Sequence, residues 1–185
     1  MDESGPAVTE LNDVAELHRW IDRHVAPLER LHAERLQCRE GCHDCCVDDL
    51  TVFEVEAEEI RRHAGELLRE GRPHPPGGCA FLGDRGQCRI YAVRPYVCRT
   101  QGLPLRWLAE DEDEAIVEQR DICPLNVLPA EPVERLKEET CWAIGPVEAT
   151  LQRLQADCPR PDLRLSLRSL FPGHRDEVAP SAPSD

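Results

Sequence analysis

Apolar residues return every three or four positions along the N-terminal stretch. Val14, Leu17, Ile21, Val25, Leu28 and Leu31 form the stripe, with Glu, Arg and His between them. A helix can bury such a stripe while its opposite face stays in water, so the spacing predicts an amphipathic helix. Asp13, with Glu16 three residues on, has the form of a capping box and marks its start. Pro27 lacks the backbone donor that a helix interior needs, which predicts a kink there or two helices in series. A second helix is expected over residues 53–70, with Phe53, Ala57, Ile60, Ala64 and Leu67 on one face and Gly71 and Pro73 as the stop.

Past a Pro- and Gly-rich link at 74–78 the period changes. Cys79-Ala80-Phe81-Leu82 and Gln87-Cys88-Arg89-Ile90 flank Gly83-Asp84-Arg85-Gly86, and such a centre predicts a hairpin turn. Pairing Leu82 with Gln87 sets Phe81 opposite Cys88 and Cys79 opposite Ile90. Cys79 and Cys88 then form a diagonal pair on one face. The acidic run at 110–114 reads as a solvated loop. Pro132 suits a helix start, with Val133, Leu136 and Ile144 on its face. Gly145-Pro146 breaks that helix, and Val147, Leu151 and Leu154 continue as another towards Cys158. Leu163, Leu165 and Leu167 alternate like a strand, while Leu163, Leu167 and Leu170 fit a helix, and both readings stand.

The expected fold is therefore mainly α with a small β-hairpin, an α+β arrangement in which helices surround a loop-built cysteine centre. Residues 1–37 form an N-terminal helical segment and 38–126 the cysteine-bearing domain. Residues 127–172 form a C-terminal helical segment packing on the same domain, and 173–185 a disordered tail rich in Pro, Ser and charge. No internal repeat interrupts this order.

Composition narrows the partners. The 185 residues suit one domain, and only eight are aromatic, so the core must come mainly from Leu, Val, Ile and Ala. Thirty-six acidic against 22 basic residues leave a net charge of −14. Such a surface repels phosphate backbones and anionic lipid headgroups, which argues against nucleic-acid and membrane partners. No apolar run approaches the roughly 20 residues of a membrane span. The acidic start, Met1-Asp2-Glu3, lacks a secretory pattern, so a cytoplasmic protein is expected. In that reducing compartment, ten cysteines point to metal binding or chemistry rather than to disulfides.

Seven of the ten lie between positions 38 and 98. The first group, Cys38-x3-Cys42-x2-Cys45-Cys46, packs four thiols into nine residues, with Gly41 freeing the turn. Clustered soft thiolates select zinc, copper(I) or iron–sulfur clusters over magnesium or calcium. The side chains of adjacent Cys45 and Cys46 diverge, which implies either a polynuclear centre or two nearby sites. The second group holds Cys79, Cys88 and Cys98. Arg89, Arg94 and Arg99 stand among these cysteines, where they would favour thiolates and offset the charge of a cofactor. His43 is as consistent with an exposed polar residue as with a ligand. Cys141 and Cys158 belong to no motif and read as packing residues.

The combined pattern resembles the YkgJ-type cysteine-cluster proteins, the CxxCxxCC zinc- or iron-chelating family. Downstream of the first group, the resemblance rests on Cys79, Phe81, Leu82, Gly86, Cys88, Ile90, Tyr91, Arg94, Pro95, Cys98 and Arg99, and it covers roughly 38–126. Residues 101–105 and 123–126 are similar to a branch of the family, which implies Cys123 as an eighth ligand. The resemblance implies a bound metal centre, either zinc or iron–sulfur, and no settled reaction. Flagellin lysine-N-methylases carry a similar cluster, so redox or group transfer on a protein or peptide substrate stands as the alternative to simple metal binding. A purely structural zinc-binding interaction protein is a further alternative. An iron–sulfur cluster is preferred to zinc because one cubane engages four thiolates only once on an already acidic chain. No phosphate-binding glycine loop, nucleophile elbow or H-E-x-x-H motif is present.

Overall fold

The computed structural model describes residues 6–39 and 41–174. The expected disordered tail lies, from residue 175 on, outside the described residues. Helix α1 (Val14–Leu31) opens on Asp13, whose side chain accepts the Glu16 N–H at 2.9 Å. The helix buries Leu17, Ile21 and Val25, as the periodicity predicts. It runs as one element through Pro27, so two helices in series are not what forms.

Strand β1 (Thr51–Phe53) leads directly into α2 (Glu54–His63), and α3 (Gly65–Glu70) follows. The single helix expected over 53–70 is thus two, broken at Ala64, which leaves helical geometry at φ −114° and ψ 21°. The short α4 (Tyr96–Arg99) carries Cys98. Strands β2 (Leu105–Glu110) and β3 (Ile116–Asp121) then pair antiparallel, with Leu105 opposite Asp121. Next come β4 (Trp142–Ala143), α5 (Gly145–Gln155) and β5 (Arg164–Ser166). The fold is α+β: one sheet has the order β1-β5 and the other β3-β2-β4, with β4 parallel to β2.

Three local expectations are corrected. The acidic run is solvated as expected, exposed from 111 to 114, but its first residue belongs to a strand and the rest is ordered as a hairpin turn. Glu110 ends β2, and the Asp111 carboxylate accepts the N–H groups of Asp113 at 3.0 Å and Ala115 at 2.9 Å. No helix spans 132–144. That stretch makes two 3₁₀ turns, Val133–Arg135 and Glu138–Thr140, before β4. Arg120 of β3 draws the Val133 carbonyl, at 3.2 Å, and the Leu136 carbonyl to its guanidinium. The Trp142 N–H goes to Pro104 O at 2.8 Å, so the backbone groups of a helix are committed elsewhere.

The third correction concerns the cysteine hairpin. Leu82 bridges Cys88, not Gln87, and the Arg89 N–H donates to Phe81 O at 2.9 Å. The turn needs one more residue than expected because the Gly83 N–H closes it on Gln87 O at 2.8 Å. Pairing stops after this bridge. Residues 79–82 are themselves a turn, closed by Leu82 N–H to Cys79 O at 2.8 Å, so strand alternation never reaches Cys79.

Two apolar clusters hold these parts together. One joins Val52, Ala57, Ile60, Phe81, Ile90, Leu167 and Phe171, with Phe81 and Phe171 ring centroids 5.0 Å apart. The other packs the α1 stripe against Phe53, Tyr96, Leu103, Trp142, Val147 and Leu151. The cysteine-bearing loops lie along these clusters, and β5 and α5 brace them from the C-terminal side.

Candidate metal centre

The first cysteine loop is two tight turns in succession. The Cys42 N–H bonds Arg39 O at 2.9 Å and the Cys46 N–H bonds His43 O at 2.8 Å. The loop is anchored to the second cysteine segment, since the Cys79 N–H donates to Cys46 O at 2.8 Å. His43 turns back on its own loop, with Nδ1 2.8 Å from Gly41 O.

Cys38 heads the first group of thiols. Its sulfur lies against Gly102, where a Cβ would come within 2.4 Å of it, and Gly102 has φ +93°. Only glycine meets both demands without strain. The Asn126 amide fixes the other side: its Nδ2 donates to Cys38 Sγ at 3.6 Å and to Gly102 O at 2.8 Å, and its Oδ1 accepts the Gln37 N–H at 2.8 Å. Burial pushes the Cys38 thiol up, the Asn126 amide pulls it down, and the charges of Cys42, Cys123 and Cys45 push it up further. Cys38 therefore lies in the field of the other three.

The second group is Cys46, Cys79, Cys88 and Cys98. Cys79 is buried in the Phe81 cluster, and Cys46 and Cys88 pack against it. Burial raises the thiol of Cys79, and the Phe81 N–H opposes it. Burial likewise raises Cys88, opposed by the Ile90 N–H and by the charges of Arg94 and Arg89. Burial also pushes Cys98 well above the usual thiol range, reinforced by Cys79, Cys88 and Cys45. Cys45 and Cys46 join the two groups. The Cys46 thiol donates to Cys45 and is itself pushed far up, while Cys45 falls to about 6.

Helix α4 holds Cys98 through contacts that no cysteine motif announces. Buried Glu56 of α2 accepts the Tyr96 N–H at 2.6 Å and meets His18 Nε2 at 3.2 Å. The Tyr96 hydroxyl receives Trp142 Nε1–H at 2.8 Å. Arg99 reaches Asp22 of α1 at 2.6 Å and Ala92 O at 3.4 Å, so its guanidinium is engaged by α1 and the preceding turn. Arg94 stacks on Tyr91 with its guanidinium carbon 4.0 Å from the ring centroid and faces Cys88 electrostatically. Sequence reasoning missed Arg168. It donates to Asp48 at 2.5 Å, to His74 O at 2.7 Å and to Gly78 O at 3.0 Å, and its charge reaches Cys79. Nothing in the sequence around Arg168 signals this. Asn126, Glu56 and Gly102 were likewise unmarked as positioning residues. Cys141 is buried with Ile122, Val133 and Leu136, and Cys158 closes the last turn of α5.

Among the described residues, no three His, Cys, Asp or Glu side chains form a ready-made ion site. The donor set still fits a soft metal ion. Cys46, Cys79 and Cys88 pack on one apolar cluster, the charges of Cys42, Cys45 and Cys123 are felt at Cys38, and backbone or amide N–H donors already face Cys38, Cys79 and Cys88. Burial raises the thiols of Cys38, Cys79, Cys88 and Cys98, and a bound cation would draw them towards the thiolate.

Comparison with known families agrees with this chemistry. The model of the CxxCxxCC family, described as a "putative zinc- or iron-chelating domain", matches residues 37–124. Residues 37–124 are similar to that family, and its description supports metal binding by this segment. No curated protein and no solved structure matches the chain. Among the described residues, no helix is long and apolar enough to cross a membrane.

Proposed function

We propose that the protein holds zinc or iron at two neighbouring tetrathiolate centres, one built by Cys38, Cys42, Cys45 and Cys123 and the other by Cys46, Cys79, Cys88 and Cys98. What supports this reading is the packing of Cys46, Cys79 and Cys88 on one apolar cluster, with the charges of Cys42, Cys45 and Cys123 felt at Cys38. Adjacent residues serving different metal atoms resolve the problem that their divergent side chains pose. The preference for iron–sulfur rested on a single cubane using four thiolates once. With two sets of four, zinc and oxidised cubane sites each carry about −2, so charge no longer separates them.

Arg89 and Arg94 beside Cys88, and Arg168 beside Cys79, offset this charge at the second centre. Arg99 contributes as a positioning residue, tying α4 and its Cys98 to α1 through Asp22. The segments 1–37 and 127–172 brace the metal-binding part, and a reducing cytoplasm keeps its thiols free for metal. The acidic charge of −14 leaves nucleic acid an unfavourable partner.

The test is anaerobic purification followed by metal analysis and an absorption spectrum. A colourless chain with two zinc ions, or a brown chain with iron and labile sulfide engaging both sets, supports the reading. A chain that holds neither metal, or that engages only one set of four cysteines, overturns it.

A further inference from the structure

Cys46 and Cys79 stand side by side where two separate stretches of chain meet. The Cys79 N–H donates to Cys46 O at 2.8 Å, and Cys46 packs on the apolar cluster that buries Cys79. The link that delivers the chain to Cys79 is His74-Pro75-Pro76-Gly77-Gly78. Its two prolines lack a backbone donor and its two glycines lack a side chain, so it has little with which to fix itself.

What fixes the link comes from far along the chain. Arg168 donates its Nε–H to Asp48 at 2.5 Å, and Asp48 also accepts the Gly77 N–H at 3.1 Å. The terminal nitrogens of the same guanidinium reach His74 O at 2.7 Å, Gly78 O at 3.0 Å and Pro75 O at 3.4 Å. Asp48 lies two residues past Cys46, and Gly78 directly precedes Cys79. One side chain therefore grips both cysteine segments beside the point where they touch. The ion pair is largely shielded, with Arg168 17% and Asp48 26% exposed, so it outweighs a pair in open water. Its mount is firm as well. The Leu167 N–H donates to Leu50 O at 3.1 Å, Leu167 is buried, and Phe171 packs on Phe81.

We infer that Arg168 is a positioning residue for Cys46 and Cys79: by holding Asp48 and the carbonyls of the 74–78 link together, its guanidinium sets the two thiols beside each other in the metal-free chain. This goes beyond the metal-binding reading above and does not rest on it. A planar fork is what the place demands, because the carboxylate and three carbonyls surround one group in fixed directions. A lysine ammonium there can reach one or two of these acceptors but cannot span the set. Arg168 lies outside the 37–124 stretch that matches the family model, so the pairing of these two cysteines draws on the C-terminal segment of this chain.

The experiment uses the full chain, reduced and metal-free, so its outcome is separate from that of the metal analysis above. Brief pulses of dibromobimane bridge neighbouring thiols, each end alkylating one thiolate and releasing bromide. Proteolysis and mass spectrometry then count the Cys46–Cys79 bridge. The Cys45–Cys46 bridge is the internal reference, since adjacency in sequence alone permits it. The expected result is a Cys46–Cys79 bridge in the unaltered chain that falls about tenfold in Arg168→Gln, the weight of one hydrogen bond to a charged group, while the reference bridge holds. Arg168→Lys and Asp48→Asn each keep part of the network and should fall about threefold, which carries the comparison if Arg168→Gln folds poorly. Leu151→Ala opens a cavity in the other apolar cluster, so it should melt lower yet keep the bridge. An unaltered chain that forms no Cys46–Cys79 bridge, or Arg168 variants that keep it in full, overturn the inference. So does a loss in Leu151→Ala as large as in Arg168→Gln, because Arg168 would then act through overall stability alone.

Discussion

Replacing Asn126 by alanine isolates how Cys38 is held. The side chain is 1% exposed and serves three partners at once: the Gln37 N–H, the Gly102 carbonyl and the Cys38 sulfur. Gln37 is exposed, so water can replace the lost acceptor at little cost. Gly102 is buried, and its carbonyl left without a donor costs about 1–3 kcal/mol. The vacated volume adds roughly 1 kcal/mol, for a total of about 2–4 kcal/mol. In a chain of this size each kcal/mol lowers Tm by about 2–4 °C, so the drop should be roughly 5–15 °C. The assay is thermal unfolding of the reduced, metal-free chain, with Asn126→Asp beside it. The aspartate keeps an acceptor for Gln37 but loses both donors and sets a carboxylate against Cys38, so it should melt no higher than the alanine variant. Loss of the amide also raises the Cys38 pKa, and Cys38 should alkylate more slowly at a fixed mildly alkaline pH. A Tm within about 1 °C of the unaltered chain would refute the reasoning, because the Gly102 carbonyl and Cys38 would then be held by something else.

Four further outcomes are expected. Gly102→Ala forces a Cβ to within 2.4 Å of Cys38 Sγ at φ +93°, and should cost about 1–3 kcal/mol and lower metal content by up to half, as read by melting and metal analysis. Glu56→Ala strips the Tyr96 N–H of its acceptor and His18 of its partner; it should destabilise by about 2–3 kcal/mol and loosen Cys98, whereas Glu56→Gln keeps an acceptor and should lose less. In the reduced, metal-free chain Cys45, lowered to about 6, is mostly thiolate at neutral pH while Cys46 retains its proton; Cys45 should therefore be the faster of the pair to react with iodoacetamide, and equal rates would contradict the shared proton. Thiols raised by burial at Cys79, Cys88 and Cys98 must give up protons when metal binds, so apparent zinc affinity should fall steadily as pH falls from about 8 to 6 in competition titrations, with proton release measurable in weak buffer.

Periodicity and side-chain chemistry made part of this protein legible without coordinates. The stripe from Val14 to Leu31 specifies α1 because a 3.6-residue repeat of apolar groups has one way to be buried, and Asp13 caps it from three residues away. Val147, Leu151 and Leu154 specify α5 in the same way. The cysteine spacing pointed to metal binding, which the matching family description supports. All of these signals are local, and local order is what a sequence displays directly.

What remained hidden depended on partners far along the chain. The stretch 132–144 has an apolar spacing that suits a helix, yet Arg120 captures its carbonyls and β2 captures Trp142, so a sheet edge forms instead. The Cys79 hairpin could be drawn from its turn residues, but its register shifted by one because the Gly83 N–H closes on Gln87 O, and a turn at 79–82 ends the pairing. Asn126 and Arg168 look like ordinary polar residues until folding sets them against Cys38 and against the 74–78 link, 88 and 94 positions away. The burial of Cys79 beside the exposure of Cys38 was equally out of reach. Spacing states how near two cysteines are along the chain, whereas burial is decided by which apolar surface the loop comes to rest on, and only the tertiary structure places Cys79 in the cluster of Phe81 and Phe171 and leaves Cys38 at the surface.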